Sequence, residues 1–228
     1  MSDYVIPQPA QPSLPVKGID ARFPVRRIYC IGRNYADHAI EMGHDPDKEP
    51  PFFFQKNGDN VISSGEFPYP PQTNDVHYEV EMVVALKSGG ANISEADAMQ
   101  HVFGYGIGLD MTRRDLQGEM KKMGRPWEIG KAFERSAPMG PLVPASETGH
   151  LESGAISLTV NGEDRQKGDL NQMIWKVPEQ IAYLSRFYVI SSVDLIMSGT
   201  PAGVGPIKKG DVMECRIEGL DPLKVTVV

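Results

Sequence analysis

The sequence predicts an α+β chain that is mainly β, with a few short helices. Short runs rich in Val, Ile and Phe alternate with turn signals along most of its length. Gly and Pro recur throughout, 23 and 19 of 228 residues, and cut regular elements into short pieces. Helical patterning is confined to four stretches, each with a recognisable start or stop.

Residues 1–24 hold Pro7, Pro9, Pro12, Pro15 and Pro24 with little apolar periodicity, which predicts an extended arm. The folded part is expected to begin at Val25, with residues 25–228 forming one domain. A strand over residues 25–31 comes first, then a short helix over 35–42 stopped by Gly43. Residues 78–86 read as a strand, and Ser94 as the N-cap of a helix over 95–103. Thr112 is a second cap, for a helix over 113–123 that ends at Gly124. Residues 156–160 form a strand closed by the hairpin pair Asn161-Gly162. Pro178 suits the first turn of a helix over 179–187, and strands over 195–198, 212–217 and 223–228 complete the chain. There is no internal repeat and no low-complexity tract.

Composition narrows the function. A chain of 228 residues can bury a substantial core without covalent staples. It is 40% hydrophobic and 23% charged, with no apolar run long enough to cross a bilayer. The start, MSDYVIPQPAQ, lacks the basic and apolar pattern of a secretory signal. Cys30 and Cys215 lie far apart in apolar, strand-like runs and are expected to be reduced and buried. These features predict a cytoplasmic protein. A net charge of -7 argues against nucleic acid as partner. A small anionic substrate is compatible with it, because a metal or a few local cations override global charge.

The chemistry-bearing residues begin with His77-Tyr78-Glu79-Val80-Glu81-Met82-Val83-Val84. As a strand it sends Glu79 and Glu81 to one face and Tyr78, Val80, Met82 and Val84 to the other. Two adjacent carboxylates repel unless solvated, protonated or bridged by a cation, and oxygen ligands suit Mg²⁺ or Mn²⁺ better than zinc. Taken alone, the pair reads as a solvated strand face. Asp110 follows Gly104-Tyr105-Gly106-Ile107-Gly108-Leu109 and reads either as a helix-start acid or as a third ligand. The glycine spacing is not that of a dinucleotide-binding turn, and Gly203-Val204-Gly205 with Lys208 and Lys209 lacks the ending of a phosphate loop. His38 and Glu41 are neighbours on one helical turn, where a carboxylate orients an imidazole and raises its basicity; such pairs are also common on surfaces. His44, His77, His101 and His150 are taken as structural. Lys131, flanked by apolar residues, is either a buried cation facing an anion or a snorkelling surface side chain.

Five segments occur in a telling order. They are Gly32-Arg33-Asn34-Tyr35-Ala36-Asp37-His38 with Glu41; Glu79-Val80-Glu81; Leu109-Asp110-Met111-Thr112 with Gln117; Gly130-Lys131-Ala132-Phe133; and Ser198-Gly199-Thr200-Pro201-Ala202-Gly203-Val204-Gly205. Together, from about Arg26 to the C-terminus, they resemble the fumarylacetoacetate hydrolase family. The resemblance implies a mixed β-sandwich roll, usually a homodimer. It also implies that Glu79, Glu81 and Asp110 bind Mg²⁺ or Mn²⁺. His38 and Glu41 would form a water-activating dyad on a mobile lid, Lys131 would assist at the reacting carbonyl, and Arg33, Gln117 and Thr200 would hold substrate. Within the family, residues 27–33, 41–46 and 51–54 are most similar to the fumarylpyruvate hydrolases of gentisate breakdown. Gln55-Lys56-Asn57 departs from the Lys-Pro common in relatives, so Asn57 is expected to alter the pocket edge.

The implied reaction is metal-dependent hydrolysis of a carbon–carbon bond in an acylpyruvate, fumarylpyruvate giving fumarate and pyruvate. Oxaloacetate decarboxylation needs no attacking water and is the first alternative. Isomerisation or decarboxylation of longer 2-oxo dienoic acids is the second, and a metal-stabilised binding protein without turnover is the third.

Overall fold

The computed structural model describes residues 4–43 and 50–228. A hairpin of β1 (Ser13–Val16) and β2 (Ile19–Pro24) comes first, followed by β3 (Arg27–Gly32), α1 (Ala36–Glu41) and β4 (Phe52–Asn57). Three short strands, β5 (Val61–Ile62), β6 (Glu66–Phe67) and β7 (Val76–Tyr78), lead into β8 (Val80–Leu86), α2 (Glu95–Ala98) and β9 (Val102–Leu109). Then come β10 (Thr112–Arg113), α3 (Arg114–Met123), α4 (Glu128–Lys131), β11 (Ala137–Pro138), β12 (Val143–Pro144) and α5 (Ala145–Thr148). The last part carries β13 (Ala155–Val160), β14 (Glu163–Asp169), α6 (Val177–Ser185), β15 (Leu195–Met197), β16 (Gly205–Ile207), β17 (Val212–Ile217) and β18 (Leu223–Val227). Among the described residues, no helix is long and apolar enough to cross a membrane.

Two mixed sheets form the frame. One has the order β12-β9-β8-β15-β3-β4 and the other β14-β13-β17-β18-β6. Each contains one parallel pair, β15 with β3 and β18 with β6. Alternation along the strands makes the first sheet apolar on both faces. Tyr29, Ile31, Val80, Met82, Val84 and Ile107 meet Leu158, Met213, Cys215 and Val225 of the second sheet in the main core. On the opposite face Ile28, Cys30, Val83, Ala85 and Met197 pack with Leu14, Phe23, Met139 and Leu142 in a second core. Both cysteines are free and buried.

The second core corrects the expectation of an extended arm over residues 1–24. Its latter half is the β1–β2 hairpin, in which Leu14 pairs with Phe23 and both side chains are buried. The prolines hid this, because a two-stranded ribbon outside the main sheets tolerates them. Leu14→Ala is therefore expected to cost about 2–5 kcal/mol in urea unfolding, as for a fully buried leucine. A free arm would lose nothing.

Several boundaries also move. Thr112 is not a helix cap: it pairs with His77 in the β10–β7 ladder, and α3 starts at Arg114 after Arg113. Ser94 does cap α2, accepting from the Asp97 amide at 3.2 Å, but Val102 and Phe103 join β9, where β-branched and aromatic side chains fit a pleated surface. Glu79 interrupts the strand expected over 78–86, separating β7 from β8. The glycine run lies inside β9, and its glycines face segment 139–143. A Cβ on Gly104 would collide with the Val143 carbonyl, and one on Gly106 would stand 3.0 Å from Leu142 Cδ2. Asn161 and Gly162 have φ of 54° and 82° and close the β13–β14 hairpin as expected.

This topology builds one end of the six-stranded sheet into a site. Strand β8 starts opposite the end of β9, since Val80 pairs with Leu109. Strand β15 runs antiparallel to β8 and parallel to β3, so residues 198–200 and 32–33 emerge at that same end.

Candidate active site

Glu79 and Glu81 leave the main-core face of the strand because Tyr78, Val80 and Met82 occupy it. Asp110 follows β9 directly, and its amide donates to the Glu79 carbonyl at 2.9 Å. The three side chains are 5%, 2% and 1% exposed, and one carboxylate oxygen from each lies within 4.8 Å of the others. Such crowding in a dry site demands compensation. Lys131 Nζ donates to Glu79 Oε2 at 2.8 Å, Asp110 Oδ2 at 2.7 Å and Thr112 Oγ1 at 2.7 Å. Arg114 Nη2 donates to Glu79 Oε1 at 2.5 Å. Lys56 Nζ stands 2.9 Å from Asp110 Oδ1 as an ion pair without hydrogen-bond alignment, and it donates to the carbonyls of Met111 and Lys131.

The charges are distributed unevenly. Burial works against Glu79 ionising, yet Lys131 and Arg114 hold its carboxyl well below the usual carboxylate range. Lys131 is kept charged by Asp110 and Glu79 against the burial that would neutralise it. Among the described residues no cation pairs with Glu81, whose Oε2 accepts the Gly199 amide at 2.8 Å. Burial, then the charges of Asp110 and Glu79, push its carboxyl well above the ordinary range.

Beside this group lies His38, 6% exposed on α1. Its Nδ1 is 3.0 Å from Glu41 Oε2, and both Glu41 oxygens accept from the Gly203 amide, at 3.2 and 3.3 Å. Glu41 thus orients the imidazole and docks α1 on the loop after β15. Gln117 Oε1 accepts from Arg114 Nη1 at 2.8 Å. A Cβ on Gly130 would stand 2.9 Å from the Gln117 amide nitrogen, so glycine there lets α4 bring Lys131 in against α3. Arg33 has φ 57°, which reverses the chain between β3 and α1.

Of the residues singled out from sequence, Arg33, His38, Glu79, Glu81, Asp110, Gln117, Lys131 and Thr200 line one cleft, and Glu41 stands behind His38. His101 contacts Ser88 and His150 contacts Tyr105, away from the carboxylates. His77 bridges Asp75 and Arg114, at 2.9 and 3.4 Å, and so buttresses the site. His44 lies outside the described residues. Lys56, Arg114, Lys121 and Gln166 were not anticipated. Gln166 joins Thr200 Oγ1, at 2.8 Å, to the Val80 amide, at 3.0 Å. Only Lys56 left a trace in the sequence, as the central lysine of Gln55-Lys56-Asn57; it is 1% exposed.

A family model described as fumarylacetoacetate (FAA) hydrolase C-terminal matches residues 27–228. The crystal structure of fumarylpyruvate hydrolase from Pseudomonas aeruginosa in complex with Mn²⁺ and pyruvate is 54% identical, covers 99% of each chain and superposes with a TM-score of 0.97. A fumarylpyruvate hydrolase of a Ralstonia species is 42% identical over 82% of this chain and 98% of its own. Oxaloacetate tautomerase YcgM of Escherichia coli (strain K12) is 39% identical over 86% of this chain and 90% of its own.

Proposed function

The chain belongs to the fumarylacetoacetate hydrolase family, and on that premise we propose that it hydrolyses the carbon–carbon bond of an acylpyruvate, fumarylpyruvate giving fumarate and pyruvate. The observation that carries this reading is the His38–Glu41 pair in the same cleft as three buried carboxylates. Hydrolysis requires a base that activates water, decarboxylation of a 2-oxo acid does not, and tautomerisation would use a base only to move a carbon-bound proton.

The carboxylates fit a divalent ion of the Mg²⁺ or Mn²⁺ type. They offer oxygen donors only, Asp110 Oδ1 is buried without a hydrogen bond, and no cation among the described residues pairs with Glu81. Glu79, Glu81 and Asp110 would hold the ion, which when bound supplies Lewis-acid stabilisation to the oxygens of the 2-oxo acid. The remaining work falls to the chain. Arg33, Gln117 and Thr200 orient the substrate. His38, held by Glu41, takes a proton from water as the oxygen adds to the carbonyl remote from the carboxylate. The carbon–carbon bond then breaks, its electrons leave with the pyruvyl carbon, and that carbon takes the proton back. Lys131, fixed by Glu79, Asp110 and Thr112, keeps a positive charge beside the reacting oxygens.

Oxaloacetate is the second substrate to consider, because the same carboxylates serve it and the Escherichia coli relative is named for it. Pyruvate release from fumarylpyruvate, acetylpyruvate and oxaloacetate separates the readings. The expected result is rapid, Mg²⁺- or Mn²⁺-dependent cleavage of fumarylpyruvate that chelator abolishes and added metal restores. Pyruvate from oxaloacetate alone would replace hydrolysis with decarboxylation.

A further inference from the structure

Helix α3 presents Arg114, Gln117 and Lys121 to the cleft, a spacing of three and four residues that puts them on one face. Arg114 and Gln117 stand at the carboxylate end. Lys121 lies seven residues beyond Arg114, about 10 Å further along the helix rise. No carboxylate of the described residues pairs with Lys121. Instead its ammonium sits 5.9 Å over the Trp127 ring. Trp127 packs edge-on against Phe52 with centroids 4.9 Å apart, and Phe52 carries the Arg33 guanidinium at 5.5 Å. Two aromatic rings in contact therefore hold two cations on the same wall. The burial of Lys121, then the nearby charges of Arg33 and Arg114, push its ammonium pKa down. A half-buried ammonium among like charges is stabilised by an incoming anion.

Resting on the hydrolase reading, we infer that Lys121 is a specificity-determining residue that binds a second carboxylate at the far end of the substrate's acyl group. The aromatic rings of Trp127 and Phe54 beside it, with centroids 5.9 Å apart, suit an unsaturated chain. The substrate class is then an acylpyruvate whose acyl part is itself an acid. Oxaloacetate holds its two carboxylates three carbon–carbon bonds apart, against six in fumarylpyruvate, and acetylpyruvate has no second carboxylate to offer.

Two variants and two measurements test this. For K121M, the preference for fumarylpyruvate over acetylpyruvate in kcat/KM is expected to fall about tenfold or more, mainly through KM, as for loss of a charge-assisted hydrogen bond. K121R should keep most of the preference. An unchanged preference in K121M overturns the assignment while leaving the hydrolase reading intact. If the wild type cleaves neither compound, the hydrolase reading fails, and titration of the Mn²⁺-loaded protein with fumarate and with pyruvate still decides the role of Lys121. Fumarate binding weakened by K121M with pyruvate binding unaffected supports the subsite. Absent fumarate binding, or equal weakening of both, removes it.

Discussion

His38→Ala is expected to lower hydrolysis of fumarylpyruvate by about 10²–10⁴-fold, the usual contribution of a positioned general base, while the protein folds and binds Mn²⁺ as before. The separation follows from the geometry. His38 makes its side-chain hydrogen bond to Glu41, whereas the carboxylates are held by Lys131, Lys56, Arg114 and the Gly199 amide. Alanine also favours helix, so α1 loses no intrinsic propensity. Glu41→Gln is the informative companion. Its amide oxygen can still accept from the Gly203 amide, so α1 stays docked, but the carboxylate charge beside the imidazole is gone. Its loss should be smaller than that of His38→Ala, because the imidazole itself remains in place. Steady-state pyruvate release, with Mn²⁺ affinity measured alongside, checks both variants. Oxaloacetate serves as internal control, since decarboxylation without attacking water should survive His38→Ala. Hydrolysis retained within a few-fold in that variant would end the dyad assignment, and the site would then read as a binding or decarboxylating one.

The fold and the site were legible in the sequence to different depths. In β13 and β17, where one face is buried and the other polar, alternation placed the strand. The misses have specific physical causes. Strand β9 is buried at every residue but Phe103, so its Gly-rich run carried no alternation, and the close approach of segment 139–143 explains the glycines only once the fold is known. Strand β14, Glu163–Asp169, is a charged edge strand without apolar alternation, and only the Asn161-Gly162 turn before it pointed to it. Thr112 has the chemistry of a cap, but ladder pairing with His77 outweighed that local preference. At the site, residues that touch the reacting end are recognisable by type and spacing, because carboxylate pairs and a His-Glu turn have chemical meaning on their own. Lys56, Gln166 and Arg114 act on those groups from distant parts of the chain. Lys56 and Asp110 are brought together only by tertiary packing, and no local pattern encodes that contact.

Glu81→Gln should produce opposite effects in the presence and absence of metal. In the metal-free protein Glu81 is a buried acid crowded by Asp110 and Glu79, and its folded pKa lies above its unfolded value. The folded state therefore binds that proton more tightly than the unfolded chain does. Stability from this group is fully present below the ordinary carboxylate range and is lost as pH rises through the raised folded pKa. Glutamine imitates the protonated acid, and its oxygen can still accept the Gly199 amide. In chelator the variant should therefore match the wild type at low pH and exceed it at neutral and alkaline pH. With Mn²⁺ the order reverses. The wild type gains about 2.7 kcal/mol at an ion concentration 100 times its Kd. The variant, having lost one of three carboxylates, should bind at least about 100-fold more weakly, beyond the roughly 10–100-fold typical of losing an outer-shell partner. Thermal melts across pH, with chelator and with Mn²⁺, read both effects in one experiment without any assay of activity. A variant less stable than the wild type in chelator at every pH would mean that Glu81 supports the fold as an ionised side chain, and the trio of carboxylates would no longer be read as a place for a metal.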